Sequence, residues 1–308
     1  MRKWLLVLAV LGAAGLAVFW FLTMPRLAIA AGDTSLETGG DAARGRTVFF
    51  AGGCASCHAT PGQPDPLKLG GGHALKSPFG TFYAPNISPH PEDGIGKWTV
   101  ANLVNALKEG VSPDGSHYYP SFPFTTYAKM TNTDARDLMA FLKTLPPVAQ
   151  KSKPHDLPFP FNIRRGLGLW KLVNLDTSPL ESVPSKSADW NRGRYLVEAL
   201  GHCAECHSTR NFMGGIVPKY RYAGGPNPDG KGLVPNMTQA KGALADWAVA
   251  DIVLMLQTGL TPSADSVGSN MADVIKNTSQ LSDADRKAMA EYIKTIPALE
   301  SPPAPAKK

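Results

Sequence analysis

Two short stretches decide how this chain folds: Cys54-Ala55-Ser56-Cys57-His58 and Cys203-Ala204-Glu205-Cys206-His207. Together they contain all 4 cysteines of the 308 residues, and each has the pattern Cys-x-x-Cys-His. On one turn of helix, two thiols at this spacing face the same side, and the histidine follows directly. The sequence therefore places the same set of chemical groups in the chain twice.

The pattern Cys-x-x-Cys-His is typical of a c-type haem attachment site. Two thiols at this spacing can bond to the two vinyl groups of one porphyrin, and the adjacent histidine then lies under the ring as the proximal iron ligand. We therefore predict two covalently bound haem c groups. The predicted haem-binding residues are Cys54, Cys57 and His58 in the first motif, and Cys203, Cys206 and His207 in the second.

Three other interpretations of the cysteine pairs are a zinc site, a redox dithiol and two structural disulfides. None of them explains why a histidine directly follows both pairs. With 7 histidines in 308 residues, a histidine falls at a given position by chance roughly 2% of the time. Two such coincidences are improbable, so the haem interpretation is favoured.

The motifs belong to an internal duplication. Three pairs of residues share a spacing of 149 positions: Cys54 and Cys203, Trp98 and Trp247, and Gly110 and Gly259. A constant spacing over this length indicates two related halves rather than two stray motifs. We place them at residues 38–146 and 189–298, with a connector at 147–188.

The spacing of apolar residues predicts a small set of helices in each half. A first helix follows Arg44-Gly45-Arg46 or Arg192-Gly193-Arg194 and carries the cysteine motif at its end. A second helix, opened by a tryptophan, stops at a glycine. The last helix begins at a capping residue, Thr133 or Ser282, and is closed by Pro146 or Pro297. The expected fold class is all-α, with long Gly/Pro-rich loops and a haem in each core.

An electron carrier needs a second axial iron ligand, for which methionine is suited. In the first half, Met139 lies inside the last helix, so Met130 in the preceding loop is the candidate. His73 or His117 would replace it if that haem had two histidine ligands. In the second half, Met213 is too near His207 in the sequence to reach the opposite face of the haem. Methionines at positions that match core residues of the first half are set aside as well. This leaves Met271 in the loop that begins at Gly268. The methionines set aside as packing residues are Met237, Met255 and Met289. All histidines outside the motifs are expected at the surface or in loops: His73, His90, His117, His155 and His202.

The ends of the chain predict export. Trp4 to Leu22 form an uncharged run of 19 residues, about 28 Å as a helix, close to the thickness of a bilayer core. We expect residues 1–24 to be a transmembrane anchor. The alternative is a cleaved signal ending at Ala28-Ile29-Ala30. Residues 25–37 are expected to form a tether, and residues 299–308 a disordered tail.

The net charge of +6 gives little support for nucleic-acid binding, because Arg2, Lys3, Lys307 and Lys308 at the extreme ends supply four of these charges. The connector has a different character. Several of its side chains are too apolar to be left in water, so we expect it to pack across both halves. They are Leu157, Phe159, Phe161, Leu167, Leu169, Trp170, Leu172 and Val173.

The helix order and haem motif of each half resemble the class I cytochrome c fold. The stretch from Ser77 to Leu145, and Leu157-Pro158-Phe159-Pro160-Phe161-Asn162-Ile163-Arg164 with Trp170, resemble the cytochrome c subunits of membrane-bound alcohol, gluconate and sugar dehydrogenases. The resemblance implies two cytochrome c domains in tandem. It supports Met130, in Tyr-Ala-Lys-Met, and Met271, in Gly-Ser-Asn-Met, as iron ligands. The alcohol dehydrogenase subunits have three haem motifs, whereas this chain has two.

The resulting expectation is an electron-transfer protein without catalytic residues. It would sit in the bacterial inner membrane through one N-terminal helix, with both haem domains in the periplasm. Single electrons would pass from a periplasmic or membrane-bound dehydrogenase, or a quinol-linked donor, to a respiratory acceptor. The alternatives are a dihaem peroxidase, which needs an open iron position, and a cytochrome subunit of a terminal oxidase.

Overall fold

The computed structural model describes residues 1–228 and 232–303, which leaves residues 304–308 of the predicted tail outside the described part. It begins with α1 (Arg2–Leu22), an apolar helix with no buried residue. By length and hydropathy α1 could cross a membrane. The predicted span of residues 1–24 therefore matches a real helix, and a signal sequence would have the same properties.

Both halves contain the same order of elements. The first half contains α2 (Ala42–Ala51), α3 (Cys54–His58), β1 (Ala74–Ser77), β2 (Gly80–Tyr83), α4 (Val100–Glu109), α5 (Phe124–Tyr127) and α6 (Asn132–Leu142). The connector contributes a 3₁₀ turn (Arg164–Gly166) and α7 (Leu167–Asn174). The second half contains α8 (Ala188–Tyr195) with a π-helical turn (Leu196–Leu200), α9 (Cys203–Cys206), a 3₁₀ turn (Pro218–Tyr220), β3 (Gly225–Pro226), β4 (Leu233–Val234), α10 (Val249–Thr258), α11 (Asn270–Thr278) and α12 (Asp283–Ile293).

The fold is mostly helical, but the expectation of an all-α chain is corrected by two short antiparallel hairpins, β1–β2 and β3–β4. In the first hairpin Ala74 pairs with Tyr83 and Ser77 with Gly80. Gly80 has φ +118°, a conformation that side chains rarely adopt, so the glycine permits the tight reversal. Stretches that read as irregular Gly/Pro-rich loops therefore contain local pairing.

The repeated Arg-Gly-Arg motif marks where the first and last helices of each half cross. A Cβ atom on Gly45 would lie 1.9 Å from the carbonyl oxygen of Asp137 in α6, and one on Gly193 would lie 1.8 Å from that of Ala288 in α12. Only glycine allows so close a crossing. Arg44 Nε donates to the Asp137 carboxylate at 2.7 Å, which ties α2 to α6 beside it.

The last helices start differently from the prediction in one half. Ser282 caps α12 as predicted, its hydroxyl accepting from the Asp285 amide. In the first half, however, Thr131 caps α6 by accepting from the Asp134 amide, and the predicted Thr133 lies inside the helix. Met130 therefore stands directly before its cap.

The connector contacts both halves. The indole Nε1 of Trp170 donates to Met213 O in the second half at 2.9 Å, while its ring meets Phe124 of α5 edge-on. The Tyr119 hydroxyl donates to Phe161 O at 2.9 Å. Thr81 and Asp156 exchange backbone hydrogen bonds, which adds the connector to the edge of β2.

The segment expected to be a tether is also held against the first half. The buried Asn105 side chain accepts from the amides of Ala28 and Ile29 at 2.9 and 3.1 Å, and donates to Ile29 O at 2.8 Å. The Glu37 carboxylate accepts from the Val100 amide at the start of α4. A polar composition here reflects backbone pairing with the domain rather than a free linker.

Candidate haem sites

Each cysteine motif forms its own short helix. We expected the motif at the end of the preceding helix, but α2 ends at Ala51 and the chain turns at Gly53, where φ is +63°. In the second half the same break falls at His202, with φ +34°. A residue in the left-handed region ends the first helix and redirects the chain. The thiols and the histidine are thereby placed together on one turn.

The surroundings of the first cysteine in each motif disfavour the thiolate form. Burial, together with the neighbouring Cys57, raises the pKa of Cys54 to about 12, and burial likewise raises the pKa of Cys203 to about 12. A reactive cysteine has a lowered pKa. Within residues 1–228 and 232–303, no three His, Cys, Asp or Glu side chains group as a metal site would require. The dithiol and zinc interpretations therefore lose support.

The two motif histidines are oriented identically. His58 Nδ1 lies 2.8 Å from Pro85 O, and His207 Nδ1 lies 2.8 Å from Pro235 O. Since a carbonyl oxygen can only accept, Nδ1 carries the proton in each ring and Nε2 keeps its lone pair for a metal. Burial lowers the pKa of both histidines, which favours the neutral ring. This donor set fits a c-type haem iron.

The proline carbonyls are held by the asparagines that follow them. Asn86 Nδ2 donates to Val148 O at 2.8 Å, just after α6, and Asn236 Nδ2 donates to Leu299 O at 2.8 Å, after α12. The Pro-Asn pairs were visible in the sequence as part of the repeat. Their role was not, because only the folded chain brings the carbonyl to the histidine.

Met130 and Met271 lie in different settings. Met130 is 2% exposed, in the turn between α5 and α6. Met271 is partly buried in the first turn of α11, whereas we expected it in a loop. The residue directly before the cap of the last helix, Met130 in the first half, is Leu281 in the second. The second half therefore has no methionine at the position that corresponds to Met130, and Met271 stays a prediction.

His117 is removed from the candidate iron ligands. It was expected at the surface or in a loop, yet it is buried. Its Nε2 donates to Thr23 O at 2.9 Å, and its Nδ1 accepts from Lys171 Nζ at 2.9 Å. Both ring nitrogens are thus engaged away from any metal.

The second motif contacts the segment that leads to Met130. Glu205 is buried and accepts hydrogen bonds from the hydroxyls of Thr125 and Thr126 in α5, at 2.7 and 3.0 Å. Its other oxygen meets Arg210 Nη2 at 2.6 Å. Although burial opposes ionisation, Arg210 and the two hydroxyls hold the pKa of Glu205 below its usual value. An ionised carboxylate therefore joins α9 to α5.

The first motif makes the reverse contact. Asn277 Nδ2 of α11 donates to Ser56 Oγ in α3 at 2.8 Å, and Arg46 of α2 donates to Gln280 at 2.9 Å. The helix whose first turn contains Met271 thus packs on the first motif. Each cysteine turn contacts the segment that carries the other half's candidate methionine.

An aromatic pair fills the space between the two motifs. The hydroxyl of Tyr127 in α5 donates to Gly52 O at 2.6 Å, just before Cys54. The ring of His202, just before Cys203, meets the Tyr127 ring edge-on at 6.0 Å. His202 lies outside the helices, as expected, but it also contributes to the contact between the halves. No motif in the sequence signalled this contact or that of Glu205.

Comparison with known proteins agrees with this geometry. Residues 42–146 match the cytochrome c family. The chain is 52% identical over 299 residues to a dihaem c-type cytochrome of Cereibacter sphaeroides, covering 95% of this chain and 97% of that one. It is 38% identical to the fructose dehydrogenase cytochrome subunit of Gluconobacter japonicus, over 83% of this chain and 52% of that subunit. It is 35% identical to the cytochrome c subunit of the quinone alcohol dehydrogenase of Gluconobacter oxydans, over 83% of this chain and 55% of that subunit.

The chain thus spans about half the length of these two dehydrogenase subunits and nearly all of the dihaem cytochrome. These relatives are electron-transfer proteins or subunits, which agrees with the absence of catalytic residues from our prediction. The duplicated motif and the cytochrome relatives agree on two covalently bound haem c groups. The chain belongs to the dihaem c-type cytochromes.

Proposed function

We propose that this cytochrome consists of two class I cytochrome c domains in tandem, residues 38–146 and 189–298, held to the periplasmic face of the inner membrane by α1. It passes single electrons from a dehydrogenase towards a respiratory acceptor. The observation that carries this proposal is the pair of cysteine turns, each with an oriented histidine, meeting in one interface between the halves.

The two proposed haem sites use the same types of residue. Cys54 and Cys57 would hold the first haem and Cys203 and Cys206 the second, with His58 and His207 as iron ligands. Met130 and Met271 would supply the second protein ligand of each iron. A bound haem supplies a one-electron couple, and a methionine ligand raises its potential. Two protein ligands at each iron would leave no open position for peroxide, which argues against a peroxidase.

The interface gives the two haem sites a shared frame. Glu205 holds the segment before Met130, and Ser56 bonds to the helix whose first turn contains Met271. Each contact joins one cysteine turn to the segment beside the proposed distal ligand of the other half. This supports electron exchange between two haems whose ligands keep fixed relative positions.

The end of α1 supports an anchor rather than a cleaved signal. Cleavage after Ala30 would remove the partners of buried Asn105 and the Thr23 carbonyl that accepts from His117. Buried polar groups left without partners cost stability. Arg2 and Lys3 at the N-terminus favour a cytoplasmic position for that end, which supports a periplasmic position for the haem domains.

The proposed donor is a dehydrogenase because two relatives are named as cytochrome subunits of fructose and alcohol dehydrogenases. Both names describe a cytochrome subunit, which carries electrons for a dehydrogenase complex and does no substrate chemistry itself. A terminal oxidase remains the competing partner, since it differs in the complex formed and not in the haem chemistry.

Replacing either proposed distal ligand should alter one haem only. In the oxidised protein, Met130→Leu and Met271→Leu should each remove about half of the weak Met-to-iron charge-transfer absorbance, and lower one midpoint potential by on the order of 0.1 V. The buried Met139→Leu and Met289→Leu serve as matched controls and should leave the band intact. Full intensity in Met271→Leu would exclude Met271 as a ligand.

Substitution of Glu205 should disturb the first haem although the residue lies in the second motif. Glu205→Ala removes the carboxylate that pairs with Arg210 and bonds to both threonines, and it should lower the free energy of unfolding by about 3 kcal/mol. Glu205→Gln keeps acceptors for the threonines and should cost roughly 1 kcal/mol. We expect faster hydrogen exchange in α5 and a change in the Met130 band. Glu291→Gln on α12 is the control. A spectral change confined to the second haem would contradict the shared frame.

The mature protein should retain α1. We expect the intact mass to include residues 1–30, and alkaline carbonate to leave the protein in the membrane fraction. Ala30→Leu, which blocks the small-x-small site at an exposed position, should change neither result. A soluble wild-type protein beginning at residue 31, with Ala30→Leu retained in the membrane, would identify a signal peptide instead.

Purification from detergent-solubilised membranes tests the partner. We expect the cytochrome to co-elute with a dehydrogenase, and its haems to become reduced when that enzyme's substrate is added. The double variant Met130→Leu/Met271→Leu should co-elute but be reduced more slowly, because its potentials are lower. Co-elution with oxidase subunits, or peroxide turnover by the half-reduced protein, would overturn the proposed function.

A further inference from the structure

The connector helix α7 has an apolar face that nothing in the described chain covers. Leu169, Leu172 and Val173 recur at i, i+3 and i+4, so they share one side of the helix. All three are exposed, Val173 to 79%. Trp170 and Lys171 on the other side are buried. The helix therefore packs on the protein through one face and presents apolar side chains on the other.

Neighbouring residues extend this face. Trp170 Nε1 donates to Met213 O, which fixes the Phe212-Met213 turn beside α7. Phe212 is 90% exposed, and Phe159 and Ile163 of the connector are exposed as well. Isolated apolar residues are normal on a surface, but a group of this size marks a contact with something apolar. We call this group, Phe159, Ile163, Leu169, Leu172, Val173 and Phe212, the connector face.

The connector face adjoins the end of the helix that could cross a membrane. A Cβ atom on Gly168 would lie 2.5 Å from Thr23 Cα, so α7 touches the chain one residue beyond α1. Arg165 Nη2 donates to Trp20 O at 2.7 Å, and its guanidinium lies 4.0 Å from the centre of the Trp20 ring. This contact ties the start of α7 to the last turn of α1.

The chemistry at that junction is that of the membrane interface. Tryptophan and arginine are favoured where hydrocarbon gives way to headgroups. Two basic residues, Arg164 and Arg165, lie in the turn directly before α7, and no acidic residue occurs from residue 157 to residue 175. Basic side chains beside an apolar helix face are suited to phospholipid phosphates and acyl chains together.

We propose that the connector face lies in the headgroup and acyl boundary of the same bilayer that α1 spans. This rests on the membrane anchoring proposed above. A single spanning helix would leave the haem domains free to tilt, whereas a second contact at α7 defines which side of them faces the lipid. Since α7 also contacts both halves, the orientation applies to both haem sites.

The favoured occupant is lipid and not a protein subunit because the face continues directly from α1. Its first residue in α7 follows the Gly168 contact with Thr23, so any membrane around α1 reaches it. A protein partner would have to displace lipid from the connector face where it adjoins α1. Crosslinking at the connector face therefore distinguishes lipid from a protein partner.

Photocrosslinking of the full-length dihaem protein in phospholipid nanodiscs tests the proposal. The photoreactive residue p-benzoylphenylalanine replaces Val173 in the connector face, Leu11 in α1, or Leu254, which is 44% exposed on α10 of the second half. Haem absorbance verifies that each variant is folded. We expect phospholipid adducts, detected by mass spectrometry, at position 173 at least about ten times more abundant than at position 254, and abundant adducts at position 11.

The outcomes separate this proposal from the anchoring on which it rests. Adducts at position 11 with none above the Leu254 level at position 173 overturn the connector face as a lipid contact and leave the anchor in place. Absence of adducts at position 11 as well overturns both. In native membranes, a protein adduct at position 173 in place of lipid would likewise overturn the proposal and assign the face to a partner subunit.

Discussion

A buried carboxylate connects the two halves of this cytochrome, and the arrangement of both haem sites depends on it. Glu205 is one of the two variable residues in the second cysteine motif, yet it accepts hydrogen bonds from Thr125 and Thr126 in the first half. Removing a charge from water is costly unless partners replace the water. Arg210 and the two hydroxyls replace that water. Because they come from both halves, they surround the carboxylate together only when the halves are arranged as they are here. The contact thus specifies geometry more than it adds stability.

Much of the haem chemistry could be predicted from the sequence, because covalent attachment requires fixed residue types at fixed spacing. The motifs, the duplication, the glycine ends of α4 and α10 and the apolar N-terminal helix are all local patterns. Helix starts were harder. Thr131 and Thr133 both precede acceptable first turns, and only the fold decides between them. The start of α11 has no side-chain cap at Ser269, so nothing in the sequence marked Met271 as helical.

Contacts between halves could not be predicted, because they depend on which surfaces meet. Glu205, His202 and Ser56 occupy positions that the haem motif leaves free, and their partners lie 70 or more residues away in the chain. The same holds for His117, which looked like a loop histidine. It is buried because the chain after α1 returns to the domain and places Thr23 O against its ring. Sequence patterns therefore predict the helices and motifs within each half, but they do not predict the contacts between the halves.

The two halves differ most where each covers the other. In the first half a single short helix, α5, precedes the cap of α6, and its hydroxyls are taken by Glu205. In the second half the longer α11 occupies this region and reaches across to Ser56, so the residue before the cap is the buried Leu281 rather than a methionine. In both halves, therefore, the segment before the last helix contacts the other half's cysteine motif, through α5 in one case and α11 in the other. The two segments differ because they make this contact in opposite ways: the hydroxyls of α5 donate to a carboxylate that belongs to the second motif, whereas α11 itself supplies the donor, Asn277, to the first motif.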